Sequence, residues 1–320
     1  MTAPQKNNEL PRLGFLGLGW IGQNRMQALV DDKACTVAAI ADPSPEVRER
    51  VRPLVPDAAV AGTLDELLQH DLDGIVIATP SALHAQQALQ ALERGVAVFC
   101  QKPLARTQAE NAAIVEAARK ADRLLGVDLS YRHTEAMRRI RNAVVEGELG
   151  QVYAADLVFH NAYGPDKSWA RDATLSGGGC AIDLGIHLVD LALWALERRG
   201  FDNIIARLHG EPVEQHAVAQ LDEVRLACSW NLHAGRDAVI EATFYGSDGA
   251  VSVTNVDGSF YDFRCERFTG TQRETLVEPP DAWSGRAAVR WAERLAGGDR
   301  FDPAAEHLVD LHAVVDRIYG

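Results

Sequence analysis

Over the first 130 residues, short apolar runs alternate with stretches whose apolar positions recur every three or four residues. The runs LGFLG, CTVAAIA, DGIVIATP, VAVFC and RLLGVDL, beginning at Leu13, Cys35, Asp73, Val96 and Arg123, are apolar at successive positions. Strands buried on both faces of a sheet read this way. Between them, IGQNRMQALV, PEVRERVRPL, TLDELLQH, SALHAQQALQALERG and TQAENAAIVEAARKAD have helical spacing. Thr63 caps the third, Gly95 closes the fourth, and Thr107 with Glu110 makes a capping box for the fifth. The alternation predicts a doubly wound parallel sheet with helices on both faces.

The pattern changes near Ser130. A helix with Met137, Ile140 and Val144 on one face runs to Gly147, and a strand, QVYAADLVFH, follows. The triplet Gly177–Gly179 then leads into the helical LVDLALWALE. From Ile204 to Val277 apolar and polar residues alternate in period two between Gly, Asp and Asn turns, which predicts a large open, mainly antiparallel sheet. AAVRWAERLAG and AAEHLVDLHAVVDRIYG close the chain as helices. The expected organisation is an α/β domain over 1–129, its first 11 residues a frayed tail, and an α+β domain over 130–320 that binds substrate and forms oligomers. The last helices are candidates to pack back on the first domain.

Composition narrows the functional classes. The formal net charge of −13 argues against nucleic acid or an anionic membrane as a main partner. The chain start has no signal-like apolar core, and no apolar run reaches the roughly 18 residues of a membrane span. The five cysteines are scattered without a C-x-x-C pair, which fits a reducing, cytoplasmic compartment. His209, Glu211 and His216 lack a metal-binding spacing, so no metal is expected, and nothing marks Cys180 as a thiolate nucleophile.

Gly17-Leu18-Gly19-Trp20-Ile21-Gly22 reads G-x-G-x-x-G at the end of the first strand and the start of the first helix. That is the context a dinucleotide site requires. The glycines permit the tight turn, the approach of a pyrophosphate and close helix–strand packing, and the helix N-terminus offers free N–H groups to phosphate. Gly17, Gly19, Trp20, Ile21 and Gly22 are the expected contacts. Asp42 ends the second strand 23 residues after Gly19, where a carboxylate takes the adenosine ribose hydroxyls. It would repel a 2′-phosphate, so NAD is favoured over NADP, with Arg48 nearby weakening the preference.

Two further places carry chemistry. Lys102, in FCQKPLA, follows a strand of the sheet whose carboxyl ends face ligands, and the bond to Pro103 is a candidate cis peptide. In GGGCAIDLGIH, Asp183 and His187 stand four apart, hence neighbours on a helix face, with Asp190 three further on. A carboxylate beside an imidazole fixes its tautomer and raises its basicity, and glycines ahead of the pair would bring backbone close to a bound molecule.

In GLGWIG, ATPSALH, QKPLA, GGGCAIDLGIHLVD and the terminal LHAVVDRIY, the chain resembles the glucose–fructose oxidoreductase, inositol dehydrogenase and rhizopine-catabolism family, Gfo/Idh/MocA, over nearly its whole length. The resemblance implies reversible oxidation of a hydroxyl on a sugar, polyol or related small molecule. It implies Lys102, Asp183 and His187 as the catalytic set, with either His187 or Lys102 taking the proton. It implies that Thr79, Pro80 and His84 line the nicotinamide side, with Gln101 and Lys102 also at the cofactor. Gln101 departs from the family's usual glutamate and lacks its charge. Two other activities fit the family: a nucleotide-binding regulator without turnover, and a glycosidase that recycles bound NAD.

The polar, aromatic loop HNAYGPDKSWARDATLS, His160 to Ser176, leads into the glycines and is expected to wall the pocket. Trp169 is a candidate to stack on a sugar, Lys167, Arg171 and Asp172 to bind its hydroxyls or a carboxylate, and Tyr131 and Arg132 to join them from the domain junction. A homodimer or homotetramer through the C-terminal sheet is expected, since a broad sheet with helices on one face leaves the other uncovered.

Overall fold

The structure, a computed structural model, describes residues 10–320. The expected frayed tail falls almost wholly outside the described residues. The chain forms two compact units. The first takes the described residues up to Ala105, then Ala109–Asp128 and Ser284–Glu306; the second takes Arg106–Gln108, Leu129–Trp283 and His307–Gly320.

The first unit is built on strands β1 (Arg12–Leu16), β2 (Thr36–Ala41), β3 (Ala59–Ala61), β4 (Gly74–Ile77), β5 (Ala97–Cys100) and β6 (Leu125–Val127). Every neighbouring pair is parallel, in the order β3-β2-β1-β4-β5-β6. This is the doubly wound dinucleotide-binding order, which reverses between β1 and β4. The helices are α1 (Trp20–Asp31), α2 (Pro45–Val51), α3 (Leu64–Leu67), α4 (Ser81–Glu93) and α5 (Gln108–Ala121). Ser44 and Thr63 cap α2 and α3 by accepting from the N–H groups of Val47 and Glu66. The residues preceding α1 and α4, Gly19 and Pro80, provide no side-chain cap, and neither helix has an acid in its first turn.

The second unit carries an eight-stranded sheet. Its strands are β7 (Val152–Asn161), β8 (Ile204–His209), β9 (His216–Leu221), β10 (Val224–Ser229), β11 (Ala238–Gly246), β12 (Ala250–Asn255), β13 (Phe263–Thr269) and β14 (Gln272–Val277). The order is β14-β13-β12-β11-β7-β10-β9-β8, antiparallel throughout except where β7 meets β10. That parallel seam follows from the chain path, because the glycine segment and its helix intervene before the β8–β10 meander returns alongside β7. Along β7 the residues Ala155, Leu157 and Phe159 are buried while Asp156, Val158 and His160 are not, so one face of the sheet is covered and the other is more open.

Helices α6 (Glu135–Val145), α7 (Ala173–Ser176) and α8 (Ile186–Ala195) belong to this unit. Thr134 caps α6 through the Met137 N–H. The stretch Ala173–Ala195 is, against expectation, apolar and long enough to match a membrane span by composition. The protein itself buries 89% of its most apolar window, so the stretch behaves as a core helix. Of the closing helices, α9 (Arg286–Ala296) belongs to the first unit and α10 (His307–Tyr319) to the second. Trp291 of α9 enters the core of the first unit with its ring 5.6 Å from Phe99.

Candidate active site

The turn after β1 is built for close approach. Gly17 has φ +86°, and a side chain there would strike the Ala78 backbone; one at Gly22 would strike the Gly17 carbonyl. Trp20, Ile21 and Gly22 form the uncapped first turn of α1, so an anion has backbone donors and no competing side chain. Asp42 holds this turn in place. Its Oδ2 accepts from the Leu18 N–H at 2.8 Å and its Oδ1 from the Ser44 N–H at 2.9 Å. Two carboxylate oxygens keep lone pairs beyond these bonds for ribose hydroxyls. The Arg48 guanidinium donates to the Asp42 carbonyl and so sits beside this end of the site.

At the ends of β4 and β5, Thr79 and Pro80 precede the second uncapped helix, α4. His84 is buried, 1% exposed, with its ring nitrogens 2.8 Å from the carbonyl oxygens of Pro103 and Thr79. Burial lowers its pKa more than those two carbonyls raise it. His84 thus ties the Thr79 turn to the lysine loop instead of presenting its ring at the surface. The Lys102–Pro103 peptide is cis. Within Gln101–Ala105, Lys102 alone escapes burial, and Gln101 is buried with its amide bonded to Asp128.

In the second unit the glycine triplet has a different purpose from the one its sequence suggests. A side chain at Gly178 would collide with the Tyr319 hydroxyl, and one at Gly179 with the Glu214 carbonyl. Gly177, at φ +88°, closes α7. The glycines therefore admit protein groups. The buried Glu214 carboxylate accepts from the N–H of Gly179 at 2.8 Å and of Ala181 at 2.9 Å, and from the Tyr319 hydroxyl at 2.7 Å. That hydroxyl accepts in turn from the Ile182 N–H at 3.2 Å. Neither Glu214 nor a role for Tyr319 was legible in the sequence, because only the fold brings them to the glycines.

Asp183 lies in a π-helical turn, Ala181–Gly185, that passes into α8 at Ile186. This corrects the α-helical spacing assumed for Asp183 and His187; π turns are frequent at functional sites. From Gly178 to Leu193, Asp183 and His187 are the two residues that are not buried. Asp183 Oδ2 accepts from the Trp230 indole N–H at 3.0 Å. The ring of Tyr131 meets His187 edge-on at 4.8 Å, and Phe159 lies 6.2 Å from it. Burial, then the nearby Tyr261 and Asp183, push the Tyr131 phenol up, so it stays protonated and able to donate.

The remaining substrate candidates divide. Arg132 is committed elsewhere: its Nε donates to Asp190 Oδ2 at 2.6 Å, a second nitrogen pairs with Oδ1, and its guanidinium lies 5.5 Å from the Trp194 ring. Asp190 is buried, not displayed beside His187, and His307 also donates to it at 2.8 Å. Trp169 and Arg171 lie half-buried on a short helical turn, and Arg171 lies against Gly164. Asp172 caps α7 by accepting from the Thr174 N–H. A shallow groove of about 500 Å³ runs along Tyr163, His233, Arg236 and Asp237; it takes in Ala162 and Tyr163 of the loop expected to wall the pocket, but none of the individually named substrate candidates. Cys180 and Cys228 are buried, with sulfurs 3.9 Å apart, and their contact raises the Cys228 thiol rather than exposing a thiolate.

The two units match two family models: an oxidoreductase family with an NAD-binding Rossmann fold over residues 12–129, and a GFO/IDH/MocA C-terminal domain over residues 137–252. The chain belongs to the Gfo/Idh/MocA oxidoreductase family. Its first unit is thus an NAD-binding Rossmann domain. Among Gfo/Idh/MocA relatives, the 1,5-anhydro-D-fructose reductase of Ensifer adhaerens is 36% identical over 128 residues, 39% of this chain and 38% of that protein. Inositol 2-dehydrogenase 3 of Saccharopolyspora erythraea is 27% identical over 311 residues, 93% of this chain and 84% of that one. The aligned stretch spans less than two thirds of the Ensifer reductase's own length. Levoglucosan dehydrogenase, solved with NADH and levoglucosan, shares the fold at TM-score 0.83 with 19% identity, covering 97% of this chain and 96% of that one.

Proposed function

We propose that this Gfo/Idh/MocA protein reversibly oxidises a hydroxyl-bearing carbon of a sugar, polyol or related carbohydrate derivative, with NAD as hydride acceptor. The observation that carries the reading is the burial pattern around the glycine segment, where Asp183 and His187 are singled out of an otherwise buried run. The names of the Ensifer and Saccharopolyspora relatives support the substrate class.

When bound, NAD supplies the hydride acceptor. The protein's own task is then to hold the alcohol and receive its proton while the carbon gives up hydride and becomes a carbonyl. Asp183, held by Trp230, orients the acid–base group and offsets its positive charge. His187, confined by Tyr131 and Phe159, and Lys102 at the end of β5 serve as the proton-handling side chains. Loop residues Trp169 and Arg171 contribute to the substrate wall. A homodimer or homotetramer assembles through the open face of the second unit's sheet, and five unpaired, buried thiols support a reducing, cytoplasmic setting.

A panel of sugars and polyols assayed at the NADH absorbance band tests the reading. Steady NADH formation with a free sugar or polyol supports it. Glycoside cleavage without net NADH would assign the recycling-glycosidase chemistry instead, and NAD binding with neither product would assign a regulator.

A further inference from the structure

A buried ion pair, Arg25 with Asp128, is bonded to the residue that precedes Lys102. Asp128, just beyond the end of β6, is 1% exposed. Its Oδ2 accepts two hydrogen bonds, from Arg25 Nε at 2.5 Å and from Gln101 Nε2 at 2.6 Å. Arg25 is itself 5% exposed and belongs to α1, the helix that opens at the glycine turn. Asp128 Oδ1 is buried and accepts no hydrogen bond within the described residues. One cation, one carboxylate and one amide thus join α1 to the ends of β5 and β6.

The chemistry of the trio fixes an orientation. An ionised carboxylate only accepts, so Gln101 must turn its amide nitrogen to Asp128 and direct its carbonyl oxygen away. The strand order puts residue 101 on the side of the sheet where the reacting half of a dinucleotide lies. Asp42, just after β2, marks the adenosine side, whereas Gln101 follows β5 on the opposite side of β1. A glutamate at 101 would bring two buried carboxylates to hydrogen-bond distance with one arginine to balance them. An asparagine at 128 would leave Arg25 unbalanced and the Gln101 amide free to flip.

We infer that positions 101 and 128 form one unit with a single carboxylate, sited on Asp128, and that this unit fixes the Gln101 carbonyl as an acceptor at the nicotinamide end of the NAD site. Asp128 is a positioning residue: it acts through Gln101. The inference rests on the cofactor site described above and does not depend on turnover.

The test moves the charge. Gln101→Glu, Asp128→Asn and the double variant are compared with the unmutated protein in urea denaturation without cofactor, and in calorimetric titration with NAD and with ADP-ribose, which lacks nicotinamide. Each single variant lowers the urea midpoint, and the double variant, again one cation, one carboxylate and one amide, recovers most of the loss. NAD affinity falls about tenfold in the singles, the worth of one charge-dependent hydrogen bond, and returns in the double. ADP-ribose affinity moves by less than about twofold. Additive losses in the double variant, or equal losses for both ligands, would overturn the inference. If a single variant fails to fold, a folded double variant still supports the shared carboxylate and an unfolded one overturns it. An absence of NADH formation from every sugar would sink the dehydrogenase reading and leave this cycle intact; additivity in an enzyme that does form NADH would sink this inference alone.

Discussion

Asp183 and His187 reach the surface from a segment whose other side chains are core. Proton transfer by a positioned group is worth about 10²–10⁴-fold in rate, so His187→Ala and Lys102→Ala should each lower turnover by roughly that factor. NAD affinity should change far less than turnover, because the proposed pyrophosphate and adenosine-ribose contacts are Gly17–Gly22 and Asp42; near-normal turnover in both variants would remove the site. At Asp42 the charge should govern cofactor choice. Asp42→Asn keeps an acceptor for the Leu18 N–H and deletes the repulsion of a 2′-phosphate, so the ratio of NAD to NADP affinity should narrow. Equal affinity in the unmutated protein would contradict the assignment. Asp190 makes a pH prediction. Burial would raise its pKa, but Arg132 and His307 outweigh burial and hold it down at about 2. A depressed acid stabilises the fold above its unfolded pKa and loses that contribution as pH falls through the folded value. The stability difference between the protein and Asp190→Asn should therefore be full at pH 7 and shrink by about 2 kcal/mol between roughly pH 4 and pH 2. Urea denaturation across that range measures it, and a constant difference would refute the coupling.

The elements of the first unit were legible because each strand is apolar on both faces and each helix has a period, signals that need no partner to be read. The short β3, Ala59–Ala61, was missed: three residues carry no period. In the second unit the alternation revealed the sheet but not the parallel seam between β7 and β10, which is set by where the chain returns. The site divided the same way. Lys102, Asp183 and His187 stood out in sequence, whereas Trp230, Glu214 and Asp128 act only through contacts made at long sequence separation. The glycine triplet was visible, and its reason was not, because the colliding atoms belong to residues 214 and 319. Tyr319→Phe removes one hydroxyl from this clamp and leaves the Glu214 carboxylate with its backbone donors. A loss of about 1–2 kcal/mol in urea denaturation is expected, with turnover falling further than that because the π turn carries Asp183. Unchanged turnover would show that the clamp supports the fold alone.

At the scale of the whole molecule, the open sheet face of the second unit should bury itself against another copy of the chain. Val158 lies on that face, between Ala227 of β10 and Glu241 of β11. Val158→Arg should shift a dimer or tetramer toward monomer in light scattering at micromolar concentration, and a monomeric unmutated protein would contradict the interface. The first unit carries a consequence of another kind. Its sheet is continuous by Val127, yet Trp291 packs where side chains at Gly74 and Gly126 would stand, and that tryptophan comes from the far end of the chain. A ribosome that has released the whole β1–β6 sheet has therefore still not supplied its last core residues, Trp291 among them. Until about 160 further residues are made, the nascent nucleotide domain has a tryptophan-sized socket open to water, and a chaperone or an early stop codon would find it there.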